Sequence, residues 1–245
     1  MRLIINADDL GLSPEVNESI FALMARRRLT SATLLANAPS WEAAVRQAAH
    51  FPWCSFGVHL NLTQFQPLSA APGMLPLLGE SGQLSRPAFR AARFTKALRA
   101  AILQEWLSQI SRLQAAGLKI SHLDSHHDVH IQPQLFWTLK RLQRQTGLRK
   151  VRLAENLVPA PQHPSRRNVL WNLAMRWIPP SCTTDGFGQF TTFFQAAPQD
   201  LARFATLELM VHPGHPDFAV ETALLETPWW ESLPVPVRFI NYQEL

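Results

Sequence analysis

At 245 residues the chain is about 1.6 times a typical domain length of about 150, which allows one large domain or two small ones. Apolar residues make up 47% and charged residues 17%, enough to bury a sizeable core, so disordered and low-complexity classes are excluded. The net charge of +5 is uneven: residues 1–152 carry 18 Lys/Arg against 9 Asp/Glu, and residues 153–245 carry 5 against 9. The basic excess peaks at Arg86, Arg90, Arg93, Lys96 and Arg99, and again at Lys140, Arg141, Arg144, Arg149, Lys150 and Arg152. Neither stretch sits in a recognisable nucleic-acid module, so both read as solvated helix faces and no nucleic-acid partner is expected.

No apolar run reaches the ~20 residues that span a bilayer, so no transmembrane segment is expected. Asp8 and Asp9 interrupt the N-terminal apolar stretch before it attains signal-peptide length. Cys54 and Cys182 allow at most one bridge in a chain large enough to fold without it. Two reduced thiols and a cytoplasmic location are the resulting expectations.

Period and punctuation predict alternating strands and helices. Residues 3–7 form an apolar strand ending at Asp8-Asp9, and Ser13-Pro14-Glu15 opens a helix running to about Arg27. A strand over 31–37, a capped helix over 40–49 and a strand over 55–62 follow. After a Pro/Gly-rich loop at 67–82, a long helix is predicted from about 87 to 116, stopped by Gly117, then a strand over 120–124 and a helix over 133–145 stopped by Gly147. The proline-rich segment 156–165 reads as a loop or lid, and 207–211 and 235–240 as further strands. Successive βα units imply a parallel sheet, doubly wound or barrel-like. Asp8-Asp9, His59, Asp124 with His126, and His212 all fall at predicted strand ends, and barrel closure gathers them most simply. An α/β barrel is therefore expected, with residues 1–245 as a single domain.

The densest chemical signal is Ser121-His122-Leu123-Asp124-Ser125-His126-His127-Asp128-Val129-His130, which holds four of the nine histidines. Alternation puts His122 and Asp124 on one face, and the following loop frees His126 or His127 to aim at the barrel axis. Imidazoles and a carboxylate at such positions form a ligand set for a divalent metal with open positions. His122 and His130 read as supporting or surface residues. Two adjacent carboxylates, Asp8-Asp9, repel unless a cation or proton is shared, so one can bind metal while the other acts as a base. His59 stands in an otherwise apolar strand, and His212 ends another, in Val211-His212-Pro213-Gly214-His215. Most of the eight tryptophans, Trp41, Trp106 and Trp137 among them, lie in helical patterns and read as core, whereas Trp229-Trp230 cannot both face inward.

Four ordered motifs, Asn6-Ala7-Asp8-Asp9-Leu10-Gly11-Leu12-Ser13, Gly57-Val58-His59-Leu60-Asn61-Leu62-Thr63, His122-Leu123-Asp124-Ser125-His126-His127 and His212-Pro213-Gly214, resemble those of the YdjC-like carbohydrate deacetylases. That family includes chitooligosaccharide deacetylases and deacetylases associated with hopanoid biosynthesis. The resemblance runs over nearly the whole chain and is weakest between residues 156 and 205. It implies a distorted (β/α) TIM-like barrel and one divalent metal ion, Mg²⁺ or Zn²⁺, held by Asp9, His59 and His126. Two positions depart from the family pattern: Leu10 stands where Phe is usual, and Asp128 replaces a third consecutive histidine.

The leading expectation is metal-dependent removal of an N-acetyl group from an amino sugar, on a saccharide or a glycolipid head group. Asp8 is the expected base and His212 the expected acid, with His215 its rival. A metal-dependent hydrolase of another bond such as a phosphoester, or a non-enzymatic sugar-binding protein with a structural metal, are the alternatives. Loops 63–85 and 156–199 are expected to set specificity, and homo-oligomers are compatible with the sequence.

Overall fold

The computed structural model describes residues 1–158, 161–179, 181–233 and 236–245. In chain order the main elements are β1 (Arg2–Leu10), α1 (Pro14–Ala25), β2 (Ser31–Leu34), α2 (Trp41–Ala48), β3 (Ser55–Leu60), α3 (Arg86–Ala91), α4 (Lys96–Ala115), β4 (Ile120–Ser125), α5 (Phe136–Thr146), α6 (Arg166–Trp177), β5 (Gly186–Gln189), α7 (Phe190–Gln195), α8 (Pro198–Leu201), β6 (Thr206–Val211), α9 (Ala219–Glu226) and β7 (Arg238–Phe239).

The strands form one parallel sheet in the order β4, β3, β2, β1, β6, β5, with β7 pairing Arg2 and Leu3 of β1. This sheet curves into a half-barrel, and an irregular segment continues it. On one side Leu123 N of β4 donates to Lys150 O, and Arg152 N donates back to Leu123 O. On the other, Val151 N donates to Cys182 O, while Asn156 N and Leu157 N both reach Phe187 O of β5. Irregular chain thus stands where a regular barrel has a strand, and the (β/α) barrel is distorted there.

Strand alternation divides the core. Leu3, Ile5 and Ala7 of β1, Val58 and Leu60 of β3, and Leu207 and Leu209 of β6 face outward. They join Ile20 and Leu23 of α1 and Trp106, Ile110 and Leu113 of α4 in one buried apolar cluster. Ile4, on the other face of β1, packs with Ile240 and Tyr242 in a small separate cluster at the opposite end from the strand C-termini. Gly57 is required by packing: a Cβ there would lie 2.6 Å from the His122 ring.

The expected long helix over 87–116 is two helices. Ala92 is extended, and the Thr95 side chain accepts from Leu98 N, so a second N-cap competes successfully with helix continuation. The helix expected over 133–145 begins with a short 3₁₀ turn at Pro133–Leu135 and stops at Gly147, whose φ of +74° lies in the left-handed region that favours glycine. Of the strand expected over 235–240, Val235 lies outside the described residues and only Arg238–Phe239 pair. Within segment 156–165, residues 159 and 160 lie outside the described residues, and the rest contains no helix or strand.

The solvated-face reading of the second basic stretch fails for two residues. Arg152 is fully buried inside the barrel, and Lys140 is buried against α6. Among the tryptophans, Trp106 is fully buried as expected but Trp137 is 67% exposed. Trp229 is buried and Trp230 half-buried, so the adjacent pair does split. Cys54 and Cys182 are free thiols.

Candidate metal centre and active site

Parallel strands bring their C-terminal ends to one rim, and the local backbone then aims individual side chains. The register between β1 and β2 shifts between Ala7 and Leu10, and Asp9 takes a left-handed φ of +63°. This irregularity turns Asp9 out of simple alternation and towards the same rim as Asp8, a use of bulges common beside sites. After β4, His127 and Asp128 are both left-handed, with φ of +53° and +56°. The two-residue twist leaves His126 facing inward and returns Val129 and His130 to the core.

Asp9, His59 and His126 are all buried and offer one donor atom each, all within 4.8 Å of one another. Asp9 Oδ1 stands 2.8 Å from His126 Nδ1 and 3.3 Å from His59 Nε2. Supporting contacts fix which ring nitrogens carry protons. His59 Nδ1 lies 2.8 Å from Asp124 Oδ1, and His126 Nε2 lies 3.0 Å from Gln64 Oε1; both partners can only accept. In the neutral rings the lone pairs left on His59 Nε2 and His126 Nδ1 point at a carboxylate oxygen, an arrangement that calls for a proton or a metal ion between them. Asp9 Oδ1 is buried and satisfies no hydrogen bond of its own. Three lone-pair donors converging on one buried point fit a divalent cation with two nitrogen ligands and one oxygen ligand. Asp8, His59 and Asp124 also lie close enough to hold a metal, but both Asp8 and Asp124 are already engaged by Arg152.

Electrostatics favour positive charge here. Burial works against ionisation of Asp9, yet the His126 and His59 rings beside it hold its carboxyl well below the usual range. Burial likewise disfavours the His59 imidazolium, but Asp124 and Asp8 outweigh it and raise the His59 pKa well above its ordinary value.

Arg152 is the hub beneath this rim. Its Nη1 and Nη2 donate to Asp8 Oδ2 and Oδ1 at 2.7 and 2.6 Å, Nη2 lies 2.9 Å from Asp124 Oδ2, and Nε donates to Glu208 Oε1 at 2.9 Å. Burial pushes the Glu208 pKa up to about 7, against the pull of Arg152 and the Tyr242 hydroxyl that donates to it. Asn6 Nδ2 donates to Asp8 Oδ1 and Thr33 Oγ1, and Thr33 Oγ1 donates to Asp124 Oδ2 at 2.8 Å. His122 lies within hydrogen-bonding distance of Asn6 and stacks on Tyr242 with ring centroids 3.6 Å apart; burial lowers its pKa to about 3 and keeps it neutral. His130, lowered by burial to about 4, contacts the Arg152 carbonyl through Nε2. Neither is a surface residue: both histidines support the hub.

Above the rim lies a cavity of about 490 Å³, lined by Asp8, Asp9, His59, His126, His212 and His215 among others. The His212 ring stacks on Phe218 at 4.4 Å, its backbone N donates to Glu221 Oε1, and its Nδ1 is buried without a partner. Burial lowers the His212 pKa, partly offset by Asp8 and Asp9. His215 lies in the same wall and accepts from Asp217 N through Nδ1. Asp128 and Arg86 also line the cavity. Loop 63–85 is tied to α4: Glu105 accepts from Leu68 N and Ser69 N, and Gln109 exchanges hydrogen bonds with the Asn61 backbone. Asn61 in turn donates to Gln64 O, which sets the residue that faces His126.

All five residues singled out in the sequence, Asp8, Asp9, His59, His126 and His212, thus line one cavity. Arg152, Glu208, Thr33 and Tyr242 were missed. Glu208 carried a readable signal, an acid in the middle of the apolar strand Thr206–Val211.

The sequence matches the family model described as YdjC-like protein over residues 2–232. A carbohydrate deacetylase of Geobacillus stearothermophilus is 38% identical over 139 residues, covering 57% of this chain and 54% of that protein. A carbohydrate deacetylase of Brevibacillus brevis (strain 47 / JCM 6285 / NBRC 100599) is 31% identical over 235 residues, covering 91% of this chain and 85% of that protein. In fold, the chain is similar to the crystal structure of an Enterococcus faecalis V583 protein described as a candidate cellobiose-phosphate cleavage protein. The TM-score is 0.79 at 24% identity, covering 99% of this chain and 98% of the other.

Proposed function

The chain belongs to the YdjC-like protein family, and from that premise we propose that it is a metal-dependent hydrolase removing N-acetyl groups from amino sugars. The curated relatives are carbohydrate deacetylases, and the observation that carries the reading here is the convergence of Asp9, His59 and His126 beneath an open cavity. Asp9, His59 and His126 would hold one divalent ion, which when bound polarises the amide carbonyl and acidifies a water. Two imidazoles and one carboxylate suit Zn²⁺ better than Mg²⁺, which favours oxygen ligands.

Asp8 takes the proton of the attacking water on Oδ2, the oxygen 3.9 Å from His59 Nε2. Arg152, bonded to both Asp8 oxygens, holds the carboxylate in plane. His212, in the cavity wall, delivers a proton to the leaving amine; an amide anion is too poor a leaving group without it. Burial makes the His212 imidazolium a stronger acid than a solvated one, which favours that donation. The substrate is an N-acetylated saccharide or glycolipid head group, residues 1–245 act as one domain, and the free thiols suit a cytoplasmic location.

The test is acetate release from N-acetylated chitooligosaccharides and glycolipid head groups, using protein stripped of metal and reloaded with Zn²⁺ or Mg²⁺. Activity should require the metal, and Asp9→Ala or His126→Ala should each lower it on the order of 10³-fold. Acetate release unaffected by stripping or by both substitutions would refute the mechanism. Arg86 in the cavity wall gives a second reading, hydrolysis of a phosphoester, which phosphate release without acetate would favour.

A further inference from the structure

Helix α6 buries one face and leaves the other open. Trp171, Asn172 and Met175 pack inward, while Val169, Leu170, Leu173 and Trp177 share the opposite face, with Leu170 67% and Trp177 77% exposed. Ile178, just past the helix, is also exposed. Single exposed apolar residues need no explanation, but five within ten residues form a patch.

Helix α5 packs against the buried face of α6 and comes to the surface beside its C-terminal end, where Pro179 and Trp137 line one cavity. Lys140 Nζ donates to Met175 O, Pro179 O and Ser181 Oγ, and Phe136 meets Trp171 edge-on at 5.3 Å, so the two helices are fastened together. Beside them lies a cavity of about 620 Å³ lined by Trp137, Lys140, Arg141, Arg144, Arg149 and Pro179. Between Asp128 and Asp185 the sequence has nine Lys/Arg and one acid, Glu155. Lys140 and Arg152 are buried, but Arg141, Arg144, Arg149, Arg166 and Arg167 are exposed on or beside this face.

We propose that the α5–α6 face docks on the surface of a phospholipid membrane that carries anionic head groups. Apolar side chains with tryptophan on one helix face, bordered by arginine and almost free of acid, match what an interfacial helix offers such a surface. A symmetric contact with a second copy would set the same arginines against each other, and a nucleic acid would leave the apolar stripe in water. Docking is peripheral: α6 has 12 residues, about 18 Å of helix, too short to span a bilayer.

Vesicle co-sedimentation tests this on the full chain. With about 30 mol% phosphatidylglycerol in phosphatidylcholine and roughly 0.1 M salt, the protein should pellet with vesicles, and pure phosphatidylcholine should bind it at least about tenfold more weakly. Leu170→Ser with Trp177→Ser, and separately Arg166→Gln with Arg167→Gln, should each weaken partition about tenfold or more while leaving the thermal midpoint unchanged. The exposed positions make folding defects avoidable, and Asp9→Ala should bind vesicles like the parent chain, which separates this result from the catalytic reading. A folded protein that stays in the supernatant with both vesicle types, or variants that bind as well as the parent, would overturn the proposal. So would a concentration-dependent dimer that Trp177→Ser dissociates, which would give the face to a second copy.

Discussion

The two faces of the barrel strands solve different problems with the same backbone. Outward, Leu3, Ile5, Val58, Leu60, Leu207 and Leu209 lie under the helices in a continuous apolar cluster. Inward, the alternate positions hold Asn6, Asp8, Thr33, His59, Asp124 and Glu208, gathered around Arg152. An apolar filling of similar volume would be at least as stable as a buried ion cluster, because desolvating charges offsets much of their attraction. The interior therefore contributes orientation, fixing Asp8, His59 and Asp124 relative to one another, while the exterior supplies most of the driving force.

Removing the hub should produce the largest effect. Arg152→Met leaves Asp8, Asp124 and Glu208 buried without a cation, and chemical denaturation should record a loss of about 3–5 kcal/mol. Leu209→Ala, on the outward face, should cost about 2–5 kcal/mol in the same assay yet leave acetate release per folded molecule unchanged. If Leu209→Ala disables the folded protein, the division of labour between the faces is wrong. Asp124→Asn keeps the shape of the inward face and removes one charge behind His59; calorimetric titration with Zn²⁺ should show affinity about 10–100-fold weaker.

The smallest effect concerns Glu221, whose pKa burial raises to about 7. A carboxyl raised in the folded state contributes stability that is present below its unfolded value near 4.5 and is lost as pH rises through about 7. Glu221→Gln can still accept from His212 N, so between about pH 5 and pH 8 the parent should lose about 2 kcal/mol more than the variant. Equal losses across that interval would place the ionisation elsewhere.

The regular strands and the rim residues were legible because each announces itself locally. Asp8-Asp9 ends an apolar run, His59 interrupts one, and His126 sits in a histidine cluster. Arg152 was not, since its neighbours Arg149 and Lys150 make it look like one more surface charge; only the irregular pairing of 150–152 beside β4 turns it inward. Tyr242 and Glu208 meet across 34 residues, a contact no local pattern encodes. Helix α6 was hidden by the prolines before it and by an exposed face as apolar as its buried one. The break between α3 and α4 hung on one Thr95 side chain.

The pairing of Asp8 with Arg152 also sets a timetable. The two residues are 144 positions apart, so on a ribosome adding about 5–20 residues per second the carboxylate waits about 7–30 s for the guanidinium that neutralises it. During that interval the nascent half-barrel carries solvated acids where its centre will be, and those charges resist collapse around an incomplete interior. Arrival of the 150–152 segment supplies the missing cation and extends the sheet beyond β4, while β6 and β5, which continue it from β1, are still to be made. A synthesis pause once β6 has emerged and joined β1 would favour correct closure, whereas one shortly before residue 150 would prolong the exposed, unclosed state.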